Sequence, residues 1–190
     1  LVALTDGQDR PRVDPVRVGV LGWSNGGSAA LAAVARDRWP QQPFRTAQIY
    51  YPGCGLYGAF GNPNNGTSTY VADVPAELQI GTLDTIASVS ACSVHAQHSA
   101  DAGGEPVGIY VWDGAQHSFE GATCVADSGG SIVSPWTGLH YVCSGTYNGA
   151  PFTLQDWNAQ INARRISACR LRARLREELP GDCDDSIVHP

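Results

Sequence analysis

The chain has 190 residues, of which 43% are hydrophobic, so it is long enough to bury the core of one domain. Its formal net charge of −6 argues against a nucleic-acid-binding surface, which needs clustered basic residues. No apolar run reaches the length of a membrane span, so we expect neither nucleic acid nor a membrane as a partner.

Along the chain, apolar segments of strand length alternate with segments of helical pattern. The predicted strands lie near residues 17–22, 46–52, 76–81 and 106–112. The predicted helices lie near residues 25–37, 86–102 and 154–179. In the last helix the predicted buried stripe consists of Trp157, Ile161, Ala168, Leu171, Leu175 and Leu179. This alternation is typical of a single α/β domain over residues 1–190, with a mainly parallel sheet flanked by helices.

Residues 121–150, rich in Gly and Ser, interrupt the path from the fourth strand to the last helix. We predict that they form an insertion in the domain. Two interpretations of this segment stay open, a lid over a functional site and a plain hairpin decoration.

The segment Gly-Trp-Ser-Asn-Gly-Gly (22–27) joins the first predicted strand to the first helix. Gly-x-Ser-x-Gly in this position is typical of the nucleophile elbow of α/β-hydrolases, where a strained turn presents the Ser hydroxyl. Ser24 is therefore the candidate nucleophile, and the backbone N–H of Asn25 is a candidate oxyanion-hole donor at a helix N-terminus. We expect Gly22 and Gly26 to be required because a side chain at either would collide with the neighbouring strand or helix.

Asp84 follows the third predicted strand and His117 follows the fourth. The carboxyl ends of parallel strands meet at one edge of a sheet, so both side chains are expected near Ser24. In this arrangement His117 takes the proton of Ser24, and Asp84 holds the imidazole in the useful tautomer. Asp73 and Asp113 are rivals for the acid. Asp73 precedes its strand, and Asp113 is better explained as shaping the loop before His117.

The other histidines do not form a metal site in the sequence. His95 and His98 are spaced for one face of a helix, but no third ligand has a suitable spacing. We predict that both are surface residues, and we expect no metal and no cofactor.

The six cysteines contain no Cys-x-x-Cys motif, and their even number favours disulfides in a secreted or periplasmic protein. Cys124 with Cys143 is the most attractive pair because the two bracket the Gly/Ser-rich stretch. A pair that joins Cys169 to Cys183 would fix the tail to the last helix. For Cys54, a buried thiol near the site is an alternative to a disulfide.

Three further motifs join the elbow: Tyr-Tyr-Pro-Gly-Cys-Gly (50–55), Gly-Thr-Leu-Asp (81–84) and Gly-Ala-Gln-His-Ser-Phe (114–119). In this order they resemble those of dienelactone hydrolase-like α/β-hydrolases, over about residues 10–120 and the final helix. The resemblance implies a hydrolase that works through an acyl-enzyme, and it maps the catalytic triad onto Ser24, Asp84 and His117.

The chain departs from that family at two places. The members that open dienelactone rings have Cys where this chain has Ser24. They also have an Arg just after the catalytic His, where this chain has Glu120 and Gly121. Because that Arg would hold a substrate carboxylate, the expected substrate here is a neutral ester or a lactone.

Hydrolases of this architecture place several strands before the elbow, whereas here a short polar lead precedes it and the chain has no Met. We therefore expect a piece of a longer protein, a partial α/β-hydrolase fold without its N-terminal strands and second oxyanion donor. Such a piece is expected to be weakly active or inactive by itself.

The sequence thus predicts a serine esterase or lactonase that acts on a small molecule. Trp23 and Tyr51 are candidate walls of the substrate pocket, with core packing as the alternative for both. Two other functions stay open: a serine peptidase or acyltransferase on the same fold, and a non-catalytic secreted module.

Overall fold

The computed structural model describes Asp14, residues 16–55 and 59–177, and Cys183. Its central element is a parallel four-stranded sheet in the order β1-β2-β3-β4. The strands are β1 (Gly19–Trp23), β2 (Thr46–Tyr50), β3 (Ala76–Gly81) and β4 (Val107–Trp112). The predicted parallel sheet is confirmed, and each strand end lies within two residues of its expected position.

Three α-helices accompany the sheet: α1 (Asn25–Ala33), α2 (Val89–Asp101) and α3 (Leu154–Leu175). Helix α1 ends four residues before its predicted end, and Ala35 instead forms an isolated bridge with Ala72. Helix α2 begins three residues late because Ser88 serves as its N-cap and accepts a hydrogen bond from the backbone N–H of Ala91. The last two residues of the predicted third helix lie outside the described part of the chain.

Helices α1 and α3 pack on opposite faces of the sheet. Ile49 of β2 faces α1, where its side chain lies close to Gly27. The next residue, Tyr50, points to the other face and donates a hydrogen bond to Ser167 of α3 at 2.9 Å. This is the alternation of a β-strand, whose successive side chains point to opposite faces.

The stripe predicted for α3 is wrong in part. Ala168 is exposed, and Trp157, Ile161, Leu171 and Leu175 are half-buried. Leu179 lies outside the described residues. The buried face of the helix instead consists of small, polar and a few larger residues: Leu154, Asp156, Ala159, Gln160, Asn162, Ala163, Ile166, Ser167 and Ala173. The strands below α3 supply large side chains, including Tyr50 and Glu77, and Glu77 forms an ion pair with Arg170 of the helix. Small residues on the helix therefore let the helix and the sheet approach each other closely.

Between β4 and α3 the chain forms five short strands. They are β5 (Thr123–Ala126), β6 (Ile132–Val133), β7 (His140–Ser144), β8 (Thr146–Tyr147) and β9 (Ala150–Pro151). The first three form an antiparallel sheet in the order β5-β7-β6, and the last two form a hairpin. The β5-β7-β6 sheet packs one face on Leu154 and Trp157 of α3.

Three disulfides connect these elements: Cys54–Cys92, Cys124–Cys143 and Cys169–Cys183. The last two pairs are the predicted ones. The alternative of a free thiol at Cys54 is wrong, because this residue ties the loop after β2 to helix α2. Three disulfides are consistent with an extracellular location. Within the described residues, no helix combines the length and apolar character that crossing a membrane requires.

Candidate active site

Ser24 stands at the junction of β1 and α1 in a backbone conformation that L-residues rarely adopt, with φ 50° and ψ −119°. Its backbone N–H donates to the carbonyl oxygen of Tyr50 at 3.0 Å, which ties the turn to the neighbouring strand. A Cβ on Gly22 would lie 2.3 Å from the carbonyl oxygen of Gly26, so only glycine fits there. The surrounding backbone thus holds Ser24 in a strained turn.

The collision expected at Gly26 is wrong. Among the described residues, nothing lies within 4 Å of a Cβ built on Gly26. The close approach belongs to Gly27, whose Cβ would lie 2.8 Å from the carbonyl oxygen of Tyr50. Helix α1 therefore touches the sheet through Gly27, one residue later than the sequence pattern indicates.

The three candidate catalytic side chains form one hydrogen-bonded chain. His117 Nε2 lies 2.9 Å from Ser24 Oγ, and His117 Nδ1 lies 2.7 Å from Asp84 Oδ2. The imidazole is 3% exposed and the Asp84 side chain is fully buried. The carboxylate can only accept at Nδ1, so Nδ1 carries the proton of the neutral imidazole and Nε2 is left to accept from the Ser24 hydroxyl.

The second carboxylate oxygen of Asp84 fixes the orientation of this side chain. Oδ1 accepts from the backbone N–H groups of Ile86 and Ala87 at 2.8 and 2.7 Å. The rival acids lie elsewhere. Asp113 is exposed and accepts a hydrogen bond from Thr82, and Asp73 is exposed at the opposite edge of the sheet, beside the start of β3.

The other three predicted site residues lie near these hydrogen-bonded side chains and differ in their exposure to solvent. Asn25 begins α1, so its N–H lies in the first turn of the helix, directly after Ser24. Trp23 is 43% exposed and stacks on Tyr50, with ring centroids 5.7 Å apart. Tyr51 has no exposed surface and lies against His117, with ring centroids 4.6 Å apart. Trp23 is thus open to solvent, whereas Tyr51 supports the imidazole from within the core.

The Tyr51 hydroxyl is buried next to Glu120. Burial raises the pKa of Tyr51, and the Glu120 carboxylate raises it further, so the phenol stays protonated. Within the described residues, neither Tyr51 Oη nor Glu120 Oε2 has a hydrogen bond of good geometry. One carboxylate oxygen of Glu120 therefore lies inside the protein beside the Tyr51 hydroxyl.

Asp156 is a site residue that the sequence reasoning missed. Its buried carboxylate accepts from the backbone N–H of Gln116 at 2.6 Å, so it holds the residue before His117. It also forms a capping box with Thr153 at the start of α3. The Thr-x-x-Asp pattern at 153–156 was the signal available in the sequence, although it predicts the cap and not the contact with the His117 loop.

His95 was predicted to lie on the surface, and this is wrong, because it is 3% exposed. Its Nε2 donates to the carbonyl oxygen of Cys54 at 3.0 Å, and its Nδ1 lies 2.7 Å from Ser68 Oγ. Burial lowers the pKa of His95, so the imidazole is neutral at neutral pH. His95 thus fixes the loop after β2 against α2.

A cavity of about 260 Å³ lies between α1, the loop after β2 and His95. Its described lining consists of Asn25, Ser28, Ala29, Leu31, Ala32, Gly53, Cys54, Ala59, Phe60 and His95. None of these side chains is charged at neutral pH, and most of the lining is apolar. Because Asn25 follows Ser24, the cavity begins beside the nucleophile turn.

Comparison with solved structures finds several proteins of similar fold. The crystal structure of puromycin hydrolase matches 89% of this chain and 23% of its own length, at 15% identity and a TM-score of 0.53. A thermophilic esterase from Thermogutta terrifontis matches 56% of this chain and 48% of its own, at 20% identity and a TM-score of 0.44. An α/β-hydrolase from a Medee basin deep-sea metagenome library matches 56% and 42%, at 16% identity and a TM-score of 0.44.

The chain spans less than half the length of each of these proteins. No family model matches the sequence, and no curated protein is significantly similar to it. At these sequence identities the similarity is one of fold alone. The parallel sheet and its flanking helices agree with it. The match to puromycin hydrolase and the parallel sheet with its flanking helices show that the chain has the α/β-hydrolase fold.

Proposed function

We propose that this protein is a serine hydrolase that cleaves carboxylic esters or lactones through an acyl-enzyme, as a Ser-nucleophile variant of the dienelactone hydrolase-like enzymes. The observation that carries the proposal is the pair of hydrogen-bond distances at His117: Nδ1 lies 2.7 Å from Asp84 Oδ2, and Nε2 lies 2.9 Å from Ser24 Oγ. Ser24 also stands in a strained turn. A turn kept only for packing has no need of a buried carboxylate and an imidazole in this order.

In the first half of the reaction Ser24 Oγ attacks the carbonyl carbon while His117 Nε2 takes the hydroxyl proton. The negative charge that forms on the carbonyl oxygen is stabilised by the N–H of Asn25 and the positive end of α1. The bond to the alkoxy oxygen then breaks, His117 gives the proton to that oxygen, and the acyl group remains on Ser24.

In the second half a water molecule gives a proton to His117 Nε2 and attacks the acyl carbon. The bond to Ser24 Oγ breaks, and the serine oxygen recovers its proton from the imidazolium. In both halves Asp84 accepts from Nδ1 and stabilises the imidazolium, while Ile86 and Ala87 hold the carboxylate in place.

The surroundings of the site support a neutral substrate. The cavity beside Asn25 is mostly apolar and its described lining carries no charge at neutral pH. The three disulfides further support a secreted or periplasmic enzyme.

Covalent labelling with a fluorophosphonate, located by peptide mass spectrometry, tests the proposal. Ser24 should be the labelled residue, and His117→Ala should abolish labelling because the hydroxyl then lacks its base. His140→Ala is the matched control, since His140 is exposed on β7 and should leave labelling unchanged.

Hydrolysis of p-nitrophenyl acetate gives the second measurement. Ser24→Ala should abolish whatever hydrolysis the wild type shows above the rate in buffer. The labelling decides between the functions: folded protein in which Ser24 is not labelled would contradict the proposal and favour a non-catalytic module. Labelling with preferential turnover of amides over matched esters would favour a peptidase instead.

A further inference from the structure

Tyr147, from the β8–β9 hairpin, lies against the imidazole of His117, although the two residues belong to different elements. Their ring centroids are 5.1 Å apart and their planes meet at 46°. Tyr51 contacts the same imidazole but has no exposed surface, whereas Tyr147 is only half-buried. Of these two rings, Tyr147 is therefore the one that a substrate can reach.

The hairpin that carries Tyr147 is short, and contacts at both ends hold it in place. Asn148 and Gly149 form the turn with positive φ values of 49° and 82°, as a tight two-residue hairpin loop requires. At the end of the hairpin, the carbonyl oxygen of Pro151 accepts from the Gln116 side chain at 3.1 Å. Because Gln116 precedes His117, the hairpin is tied to the loop that carries the imidazole.

Before the hairpin, the chain bends at Gly145, whose φ is 93°. Its carbonyl oxygen accepts from the backbone N–H of Phe152 at 3.1 Å, which closes the base of the hairpin. The disulfide between Cys124 and Cys143 fixes the strand that leads into this bend. A two-stranded hairpin is marginally stable alone, so these contacts give Tyr147 a defined position beside His117.

We propose that Tyr147 forms the wall of a subsite for the alcohol group of the ester and favours esters of aromatic alcohols. The inference rests on the proposed function. When the acyl bond breaks, the imidazolium at His117 gives its Nε2 proton to the alkoxy oxygen, which must lie within hydrogen-bond reach. The rest of the alcohol group then lies beside the imidazole, where Tyr147 is the accessible one of the two described aromatic rings that contact it. Residues 121–150 thereby take part in substrate selection.

The test compares benzyl acetate with ethyl acetate, which share the acyl group and differ in the alcohol. Tyr147→Ala should lower kcat/KM for benzyl acetate by roughly twofold to tenfold, the size of one aromatic pair contact, mainly through KM. Ethyl acetate should be affected much less. Tyr147→Phe keeps the ring and should keep the preference. Val125→Ala, exposed on β5 and outside the proposed site, is the control that should change neither ester.

An equal loss of kcat with both esters in Tyr147→Ala would overturn the inference, because it would mean that the ring only positions His117. An unchanged preference for benzyl acetate would overturn it as well. Fluorophosphonate labelling separates these results from failure of the proposed function. If Ser24 is labelled in the wild type and in Tyr147→Ala, the nucleophile stands and only the alcohol subsite fails. If the wild type is neither labelled nor active, both fail.

Discussion

Asp156 accepts hydrogen bonds from the backbone and side-chain amides of Gln116, 40 positions earlier in the chain, at 2.6 and 3.1 Å. The same carboxylate accepts from the backbone N–H and the hydroxyl of Thr153, both at 2.8 Å. One buried carboxylate therefore takes part in the capping box of α3 and also anchors the loop that presents His117.

Asp156→Asn should destabilise the fold and impair the site together. The amide oxygen would keep the place of Oδ2, which accepts from Thr153 and the Gln116 side chain, so the amide nitrogen would face the backbone N–H of Gln116. Leaving this buried donor without an acceptor costs about 1–3 kcal/mol, so we expect a loss of that size in urea unfolding and a lower kcat. Asp101→Asn is the control, since Asp101 is exposed and should change stability by less than about 0.5 kcal/mol. Equal stability of the two variants would contradict this role of Asp156.

Asp84→Asn tests the assignment of the acid. Its Oδ1 can still accept from Ile86 and Ala87, so the fold should persist. The amide nitrogen would instead donate to His117 Nδ1, which moves the imidazole proton to Nε2 and prevents it from accepting the Ser24 proton. We expect kcat for an ester to fall by roughly 10⁴-fold. Asp113→Asn is the matched variant, and a comparable loss in that protein would transfer the role to the rival acid.

The sequence was sufficient to predict the four strands and the proximity of Ser24, Asp84 and His117, because apolar runs and short motifs are local signals. The contacts of Asp156 and Tyr147 depend on how α3 and the β8–β9 hairpin pack against the His117 loop, and no local pattern records that packing. The stripe predicted on α3 was wrong in part for a related reason. The helix presents mostly small residues to a sheet face that already carries Tyr50 and Glu77, so hydrophobicity alone misplaces its buried face.

Gly22 and Gly26 belong to the same motif, yet they should respond in opposite ways to alanine. Gly22→Ala would place a Cβ 2.3 Å from the carbonyl oxygen of Gly26, so the turn must deform. We expect lost labelling of Ser24 and a lower melting temperature. Gly26→Ala meets nothing within 4 Å in the described structure and replaces a helical glycine, which should stabilise α1 by up to about 1 kcal/mol. Thermal unfolding and labelling of both variants check this, and equal damage would show that the two glycines are equivalent.

Tyr51 should matter for its ring more than for its hydroxyl. Tyr51→Phe removes a buried oxygen that has no well-formed hydrogen bond and keeps the contact with His117, so stability should be unchanged or higher. Tyr51→Ala removes a fully buried ring and should cost about 3–5 kcal/mol. Urea unfolding measures both variants. A large loss in Tyr51→Phe would mean that the hydroxyl, through Glu120, contributes to the fold.

His95 should make the stability of the fold depend on pH in the acidic range. Burial lowers the pKa of His95 in the folded protein, and the nearby His98 lowers it further, against the raising effect of the Cys54 carbonyl. The unfolded chain keeps the ordinary pKa of about 6.5. Between these two pKa values the unfolded chain binds a proton that the folded protein does not, so the free energy of unfolding falls as the pH drops below about 6.5.

His95→Gln removes this titration and keeps a donor for the Cys54 carbonyl oxygen. The difference in the free energy of unfolding between pH 7.5 and pH 5 should therefore be smaller in His95→Gln than in the wild type. Urea unfolding at the two pH values gives the comparison, and His140→Gln is the control because His140 is exposed on β7. If His95→Gln loses as much stability on acidification as the wild type does, then another group carries the pH dependence. In that case the burial of His95 does not oppose its protonation.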